Sequence, residues 1–574
     1  MRKQVAVAAL LVTGCSIDVE NRTAERFRFN PPINRQSFEA DVVARGWEVR
    51  EVDLLVEGRS RPVAMASAGG NRWQIETEAP LCDEFIGYRY AVRYDEPDDT
   101  RPPFREQVFP EPGAFRTVQR GQPSECEESR TSVPQLFFAS SLEDLPDANP
   151  GDGVCASRTN GSEDTCTLRA AVMEANARPG LDAIRLRRAR YVLSRTGAEA
   201  AGEADASVGD LDITDALSIE GFDAESGCDV NSDDFLTPRL GRREAYRDNG
   251  RDGVISQVDG GGIDRVFDIY AAGEGAIVYL ECLHVTNGGR QSGANAGGNI
   301  WNRATLVTDR VAVTDAEMNS FADGRGVGIY NEGQLFFTES VLTGNVGLAR
   351  GQVAGGDAGG GLYNERGASA DLVRSFVGFN AAARAPGIFN QGGARLLLSN
   401  STVASYSDVS PVNASNDYGA NIRNWGAAEI YWSTIVAGES NILGGGGALS
   451  IGNSVLRGSS TAPVCTVLRR ARSAGNNLVG SGDCVGRPLS TDVVRYAFGV
   501  LTPRNNGGFT PTMEIYLVDD GAAISPVDFA EDAAIPPCPR TDQRGFLRPV
   551  DGDGDGRPRC DAGAFERLAE QPSS

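Results

Sequence analysis

Residues able to do acid–base chemistry are scarce in this chain, and that scarcity narrows its possible reactions. Lysine occurs only at Lys3 and histidine only at His284, so nearly every basic side chain is an arginine. A guanidinium, with a pKa above about 12, abstracts a proton only with strong help. The usual general bases are therefore missing, which weighs against an enzyme. One column of a repeated stretch nevertheless carries Asp309, Glu339 and Arg374 at equivalent positions, followed by Asn400 and Trp432. Two carboxylates and an arginine one coil apart are the candidate catalytic set for a polysaccharide lyase or glycoside hydrolase working in a groove. An ion-pair ladder at a corner accounts for the same residues more simply. His284, within Glu281-Cys-Leu-His-Val285, keeps a strand rhythm and reads as a packed residue rather than a base.

Two other sets suit binding. Asp551-Gly-Asp-Gly-Asp-Gly556 places Asp551, Asp553 and Asp555 at alternating positions before a glycine, as at the start of an EF-hand calcium loop. Position twelve, where such a loop needs a bidentate glutamate, is Ala562, and Asp561 stands one residue early. Calcium, an oxygen-seeking ion, is the expected cofactor if these four aspartates close an irregular loop; a solvated acidic turn is the alternative. Trp301, Tyr330, Tyr363, Phe389 and Arg423 form a column that could stack on sugar rings, unless loops or the N-terminal domain cover it.

All these positions are set by an internal repeat between Gly297 and Leu456. The phrase runs GGNIWNRATLVTDRV, GVGIYNEGQLFFTESV, GGLYNERGASADLVRSF, PGIFNQGGARLLLSNSTV and GANIRNWGAAEIYWSTI. Its anchors are Asn302, Asn331, Asn364, Asn390 and Asn424, at spacings of 29, 33, 26 and 34 residues, the signature of a solenoid. An aliphatic residue lies two before each asparagine. A serine column, Ser340, Ser375, Ser401, Ser433 and Ser454, follows about nine residues later, with Arg310 in its place in the first copy. Val307, Phe337, Leu372, Leu398 and Ile430 stand three before that column. Two apolar columns with alternating neighbours mean two or more short strands per turn, and the glycines forbid long helices. Stacked coils place like residues about 4.8 Å apart. A buried asparagine column can then satisfy itself, because each amide both donates and accepts, so these five residues read as structural.

A chain of 574 residues exceeds one ordinary core, and a net charge of −23 disfavours nucleic acid and anionic membrane surfaces as partners. The start, Arg2-Lys3, an apolar run from Val5 to Val12 and Val12-Thr-Gly-Cys15, resembles a bacterial lipoprotein signal. In that reading residues 1–14 are removed, Cys15 is lipidated, and Ser16 after it favours the outer membrane; an ordinary cleaved signal is the alternative. The ten cysteines beyond Cys15 suggest disulfides, with Cys155/Cys166, Cys465/Cys484 and Cys538/Cys560 as close pairs. Cys82/Cys126 and Cys228/Cys282 follow only by elimination.

Taken in order, residues 15–34 read as a tether, 35–120 as a small β-sandwich of immunoglobulin-like size, and 121–150 as a linker. Cys166-Thr-Leu-Arg-Ala-Ala-Val-Met-Glu-Ala-Asn176 then reads as a helix with Leu168, Ala171 or Val172, and Ala175 on one face, covering the open end of the solenoid. This passage resembles the CSLREA motif of bacterial surface proteins with right-handed parallel β-helix repeats. Thr167 replaces its serine and Ala170 its glutamate, so no role of that glutamate carries over. Asn505-Asn-Gly-Gly-Phe-Thr-Pro-Thr512, Asp542-Gln-Arg-Gly-Phe546 and Asp561-Ala-Gly-Ala-Phe-Glu566 resemble the choice-of-anchor region of such proteins. The resemblance spans about residues 150–566 and implies a surface location and a β-helix, but no single activity.

The expected architecture is all-β. A β-sandwich precedes a right-handed parallel β-helix over 151–530 with a helical cap, and a C-terminal cap follows over 531–574. The expected function is noncatalytic binding or adhesion as a lipid-anchored surface protein, with polysaccharide as the partner. A carbohydrate-active lyase or hydrolase and a purely structural stalk are the alternatives.

Overall fold

In the computed structural model, an N-terminal unit, Met1–Thr131, is described at residues 16–21, 26–27, 35–45, 48–56, 63–69, 71–78, 85–95, 105–109 and 116–120. The second unit, Ser132–Ser574, is described at 135–159, 162–197, 205–221, 255–270, 277–289, 296–318, 324–347, 359–382, 385–405, 421–437, 443–457, 465–467, 471–480, 484–494, 503–514, 527–530 and 538–568. The signal stretch, Cys15, Cys82, Cys126 and Cys228 lie outside the described residues.

The N-terminal unit contains two sheets, as a β-sandwich requires. One sheet orders Ser16–Asn21, Arg35–Arg45, Arg72–Glu78 and Ala66–Gly69. The other orders Arg26–Phe27, Arg116–Arg120, Phe85–Asp95, Glu48–Val56 and Val63–Ala64, with Arg105–Phe109 also on Phe85–Asp95. Ala40 and Val42 are buried from the first sheet, and Val52, Leu54 and Tyr90 from the second. The tether expectation fails at its start, because Ser16–Asn21 pairs antiparallel with residues 40–45. Ile17 and Val19 alternate with Asp18 and Glu20, a strand pattern too short to stand out from its polar surroundings.

The second unit is a parallel β-helix with three stacked sheets. Among the described residues sheet one has 11 strands, from Leu136–Ala139 to Arg472–Gly475; sheet two has 11, from Arg190–Val192 to Val493–Val494; sheet three has 9, from Leu211–Ile213 to Cys465–Val467. Equivalent repeat positions pair in register: Ile300, Ile329, Leu362, Ile388 and Ile422 lie over one another, as do the asparagines. One continuous core joins these residues to Leu306, Leu335 and Leu396 of sheet one and Val313, Leu342 and Val403 of sheet two. Each fully buried aliphatic contributes about 2 kcal/mol, so the interior stabilises the rod through its length.

The corners are held by two ladders. Asn302 Nδ2 donates to Asn331 Oδ1 at 2.7 Å, and the chain continues through Asn364, Asn390 and Asn424 at 2.8, 2.8 and 2.7 Å. Each amide also donates to a backbone carbonyl, such as Ser369 O at 2.9 Å from Asn331 and Arg395 O at 2.8 Å from Asn364. At the next corner the Ser340 N–H donates to Ser375 Oγ at 3.2 Å, and Ser375 N–H to Ser401 Oγ at 3.1 Å. The residue before each serine is left-handed: Glu339, Arg374, Asn400, Trp432 and Asn453 have φ between 45° and 55°. Arg310, with φ 52°, is the corner residue of the first copy, so Val311 rather than Arg310 occupies its serine position. Thr308, not Val307, pairs with Phe337.

The helix Leu168–Asn176 closes the N-terminal end as expected. Thr167 caps it by accepting the Ala170 N–H at 3.0 Å, and Leu168, Ala171, Val172 and Ala175 enter the core. The solenoid begins before the expected 151, inside the segment read as a linker, because Leu136–Ala139 pairs in parallel with Asp182–Leu186. Four residues gave too short a pattern to separate from the polar stretch around them.

The C-terminal segment is a side strap rather than an end cap, and it starts by 503 rather than 531. Thr510 Oγ1 donates to Arg374 O at 3.0 Å, Asn400 Nδ2 to Thr541 O at 2.6 Å, and the Ala564 N–H to Thr434 Oγ1 at 3.0 Å. Met513 packs with Ala312, Val341 and Phe376, and Phe565 with Val455 and Leu478. These partners belong to the outward face of sheet two, whose apolar residues need cover. Disulfides Cys155–Cys166, Cys465–Cys484 and Cys538–Cys560 form as expected, and Cys282 is also disulfide-bonded.

Candidate functional site

On sheet three the middle residue of each strand points outward. This column reads Asp212, Asp268, Trp301, Tyr330, Tyr363, Phe389 and Arg423. Its rings form the expected stack, with centroids 5.6, 5.5 and 4.8 Å apart from Trp301 to Phe389. The stack is not open. Tyr330 and Tyr363 are each 4% exposed and Phe389 8%, packed with Ala296 and Ala385. Arg303 covers Trp301 at 3.7 Å and Arg325 covers Tyr363 at 5.6 Å. Trp301 Nε1 donates to Glu332 at 2.8 Å and the Tyr330 hydroxyl to Glu365 at 2.8 Å. Arg423 stands 5.4 Å from the Trp425 ring. Tyr330, Tyr363 and Phe389 have almost no exposed face to offer a sugar, whereas Trp301 and Arg423 are half-buried.

The candidate catalytic set does not share one column. Arg310 precedes Glu339 and Arg374, while Asp309 ends the preceding strand opposite Thr338. Counting from Asn302 and Asn331 places residues 310 and 339 at the same offset, which the serine count missed. The groups neutralise one another: Arg374 meets Glu339 at 2.6 Å, and Arg310 meets Glu281 and Asp309, each at 3.0 Å. Burial raises the Glu339 carboxyl, with Arg374 opposing. The strap covers this corner through Thr510 and through Phe509, whose ring lies 5.4 Å from Arg310. His284 is packed as expected, its Nε2 2.8 Å from Thr314 Oγ1, and burial pushes its pKa down to about 4.

The most unusual ionisable cluster lies at the foot of sheet three. Asp210, Asp212 and Asp268 are 0%, 1% and 0% exposed. Arg265 reaches Asp210 at 2.5 Å and Asp268 at 3.3 Å, and Arg303 reaches Asp268 at 3.1 Å. Burial, with Asp210 and Asp268 beside it, pushes Asp212 up to about 8. Burial raises Asp268 to about 6 against the pull of Arg265 and Arg303. Sequence reading missed this cluster, although Leu211-Asp-Ile213 and Phe267-Asp-Ile269 repeat the register of Ile300-Trp-Asn302.

The calcium loop is assembled differently from the expectation. Asp528, Asp551 and Asp553 each bring an oxygen within 4.8 Å of the others. Asp561 is turned away into a buried pair with Glu566, where it accepts the Asp528 and Arg567 N–H groups at 2.7 and 2.6 Å. Asp555 is exposed and accepts the Arg557 N–H at 2.8 Å. The three converging carboxylates have the ligand type calcium requires. They are also engaged by backbone, since Gly552 and Asp553 donate to Asp528 and Gly554 and Gly556 to Asp551, at 2.7–2.9 Å.

The outward face of sheet one differs from the other two. Its central column includes Tyr279, Val307, Phe336, Asp371, Leu397, Glu429 and Ser450. Phe336 is 38% exposed, Glu429 is exposed and the others are half-buried. Arg395 beside them is exposed and meets Asp371 at 3.4 Å. The face is thus partly accessible and both apolar and polar. Comparison of the chain with protein-family models, with curated proteins and with solved structures finds no match, so any functional reading rests on this geometry.

Proposed function

We propose that the chain is a surface lipoprotein, lipidated at Cys15, whose β-helix serves noncatalytic binding or adhesion to polysaccharide. The observation that carries the reading is the accessible outer face of sheet one, where Tyr279, Val307 and Phe336 continue one another across successive strands. Aromatic and aliphatic surface beside Asp371, Arg395 and Glu429 suits sugar rings, which offer apolar faces and hydroxyl edges. The buried stack from Trp301 to Phe389 then supports the rod. The ion pair between Glu339 and Arg374 serves its corner, which accounts for the candidate acid–base residues without a lyase or hydrolase site.

The test incubates the purified chain with a panel of acidic and neutral glycans. Retention without new unsaturated or reducing ends, weakened at least tenfold by Phe336→Ala, is the expected outcome. New ends would refute the binding reading, and no retention at all would leave a structural stalk. Separately, Cys15→Ala should move the protein from the membrane fraction to the soluble one.

A further inference from the structure

Asp212 points away from the core between Leu211 and Ile213, yet it is only 1% exposed. No side chain among the described residues donates to its carboxylate oxygens, and the one donor that favours its charged form, the Asp205 backbone N–H, is outweighed by burial and by Asp210 and Asp268. Its register partner one coil on is Asp268, and Asp210 stands two residues back. Arg265 is shared between Asp210 and Asp268, and Arg303 goes to Asp268 and Glu332. Arg265 and Arg303 thus serve Asp210, Asp268 and Glu332, and Asp212 is the carboxylate that neither reaches within ion-pair distance. A buried carboxylate without a partner is so costly that it takes up a proton instead.

The strand that carries Asp212 also grips the capping helix. Asn176 Nδ2 donates to the Asp212 carbonyl at 2.7 Å, and the Thr214 N–H donates back to Asn176 Oδ1 at 2.9 Å. From the other end of the helix, Arg169 donates to the carbonyls of Ala206, Gly209 and Asp210 at 2.6, 2.9 and 3.1 Å. We propose that Asp212 is a proton-binding site, and that its protonation state sets how firmly the first coil holds the cap helix Leu168–Asn176.

Among the described residues, the charged and titratable groups that face Asp212 are Asp205 and Asp210 from its own segment. The next coil contributes Asp264, Arg265, Asp268 and Tyr270, with Arg303 beyond them and Arg169 from the helix. Only Arg265 offsets Asp212 directly, whereas Asp268 has two arginines. Asp212 therefore ionises at a higher pH than its register partner Asp268. When it does, the new charge is repelled by Asp210 and Asp268, and that strain falls on the strand whose backbone holds Asn176 of the helix. The folded pKa lies above that of an unfolded aspartate. The stabilisation is thus complete below about pH 4 and is lost as pH rises through about 8.

Hydrogen exchange on the full chain, corrected for intrinsic rates, tests this. Protection at 168–176 and 205–214 should fall by up to about tenfold per pH unit between pH 5.5 and 7.5, then level off above about 8. Asp212→Asn, a neutral isostere of the protonated acid, should remove that slope while exchange at 443–457 stays unchanged. The same slope in the variant overturns the proposal. So does failure of Asp212→Asn to fold, because an uncharged side chain is what the site is inferred to hold.

Discussion

Sheet three uses the same two strand positions in opposite ways along the rod. In its first two coils the corner position is Ile213 and Ile269 and the outward position is Asp212 and Asp268. In the next five coils the corner is asparagine, and the outward position is aromatic in the first four of them. An amide stacks on an amide because each supplies both a donor and an acceptor, so the ladder from Asn302 to Asn424 closes without outside help. A carboxylate has only acceptors when ionised. A stack of aspartates therefore closes only with arginines or protons, and at Asp212 the arginines run out. The asparagine corner is indifferent to pH, and the aspartate pair at the neighbouring outward position depends on it.

The sharpest way to break that contrast is to put a carboxylate where an amide works. Asn364→Asp should lose about 3–5 kcal/mol of stability at pH 8, because it buries a charge between Asn331 and Asn390. Most of the loss should return below pH 5 in urea unfolding, where the protonated acid again donates and accepts. Next in size, Tyr363→Ala should cost about 3 kcal/mol by opening a gap between two stacked rings. Its glycan retention per folded molecule should be unchanged, and a selective loss of retention would reopen the aromatic column as a ligand site.

The unmodified protein should unfold at a higher temperature at pH 5 than at pH 8.5. Burial raises Asp182 and Asp268 to about 6, Glu566 to about 7 and Asp212 to about 8. Each contributes stability that is lost as pH climbs through its own value, at about 1.4 kcal/mol per pH unit while it titrates. A melting temperature that rises steadily to pH 8.5 would contradict this. The smallest effect concerns the strap: calcium should add exchange protection at 551–556 and leave the solenoid unaffected. Asp528→Asn should abolish that gain, whereas Asp561→Asn should alter folding rather than calcium affinity.

Much of the fold was legible because stacking writes like residues at like places. Asn302, Asn331, Asn364, Asn390 and Asn424, with the aliphatics two before them, identify a β-solenoid from spacing alone, and the amphipathic face of Leu168–Asn176 identifies its cap. Register was less secure. Counting back from the serines put Asp309 where Arg310 belongs, because the first copy has Val311 in place of the serine that marks the corner in the others. Short strands, Ser16–Asn21 and Leu136–Ala139, escaped notice for lack of repeats to compare.

The one-dimensional order of residues thus determined the repeat, the sheet faces, the cap and the closest cysteine pairs, since each depends on neighbours one coil or a few residues away. Only the tertiary structure decided what covers each face. The strap from 503 to 568 reaches partners more than 100 residues distant, such as Ala564 on Thr434, and burial converts Asp212 from an ordinary surface acid into one that keeps its proton. Accessibility and electrostatics depend on everything packed around a group, and no local pattern in a chain encodes that.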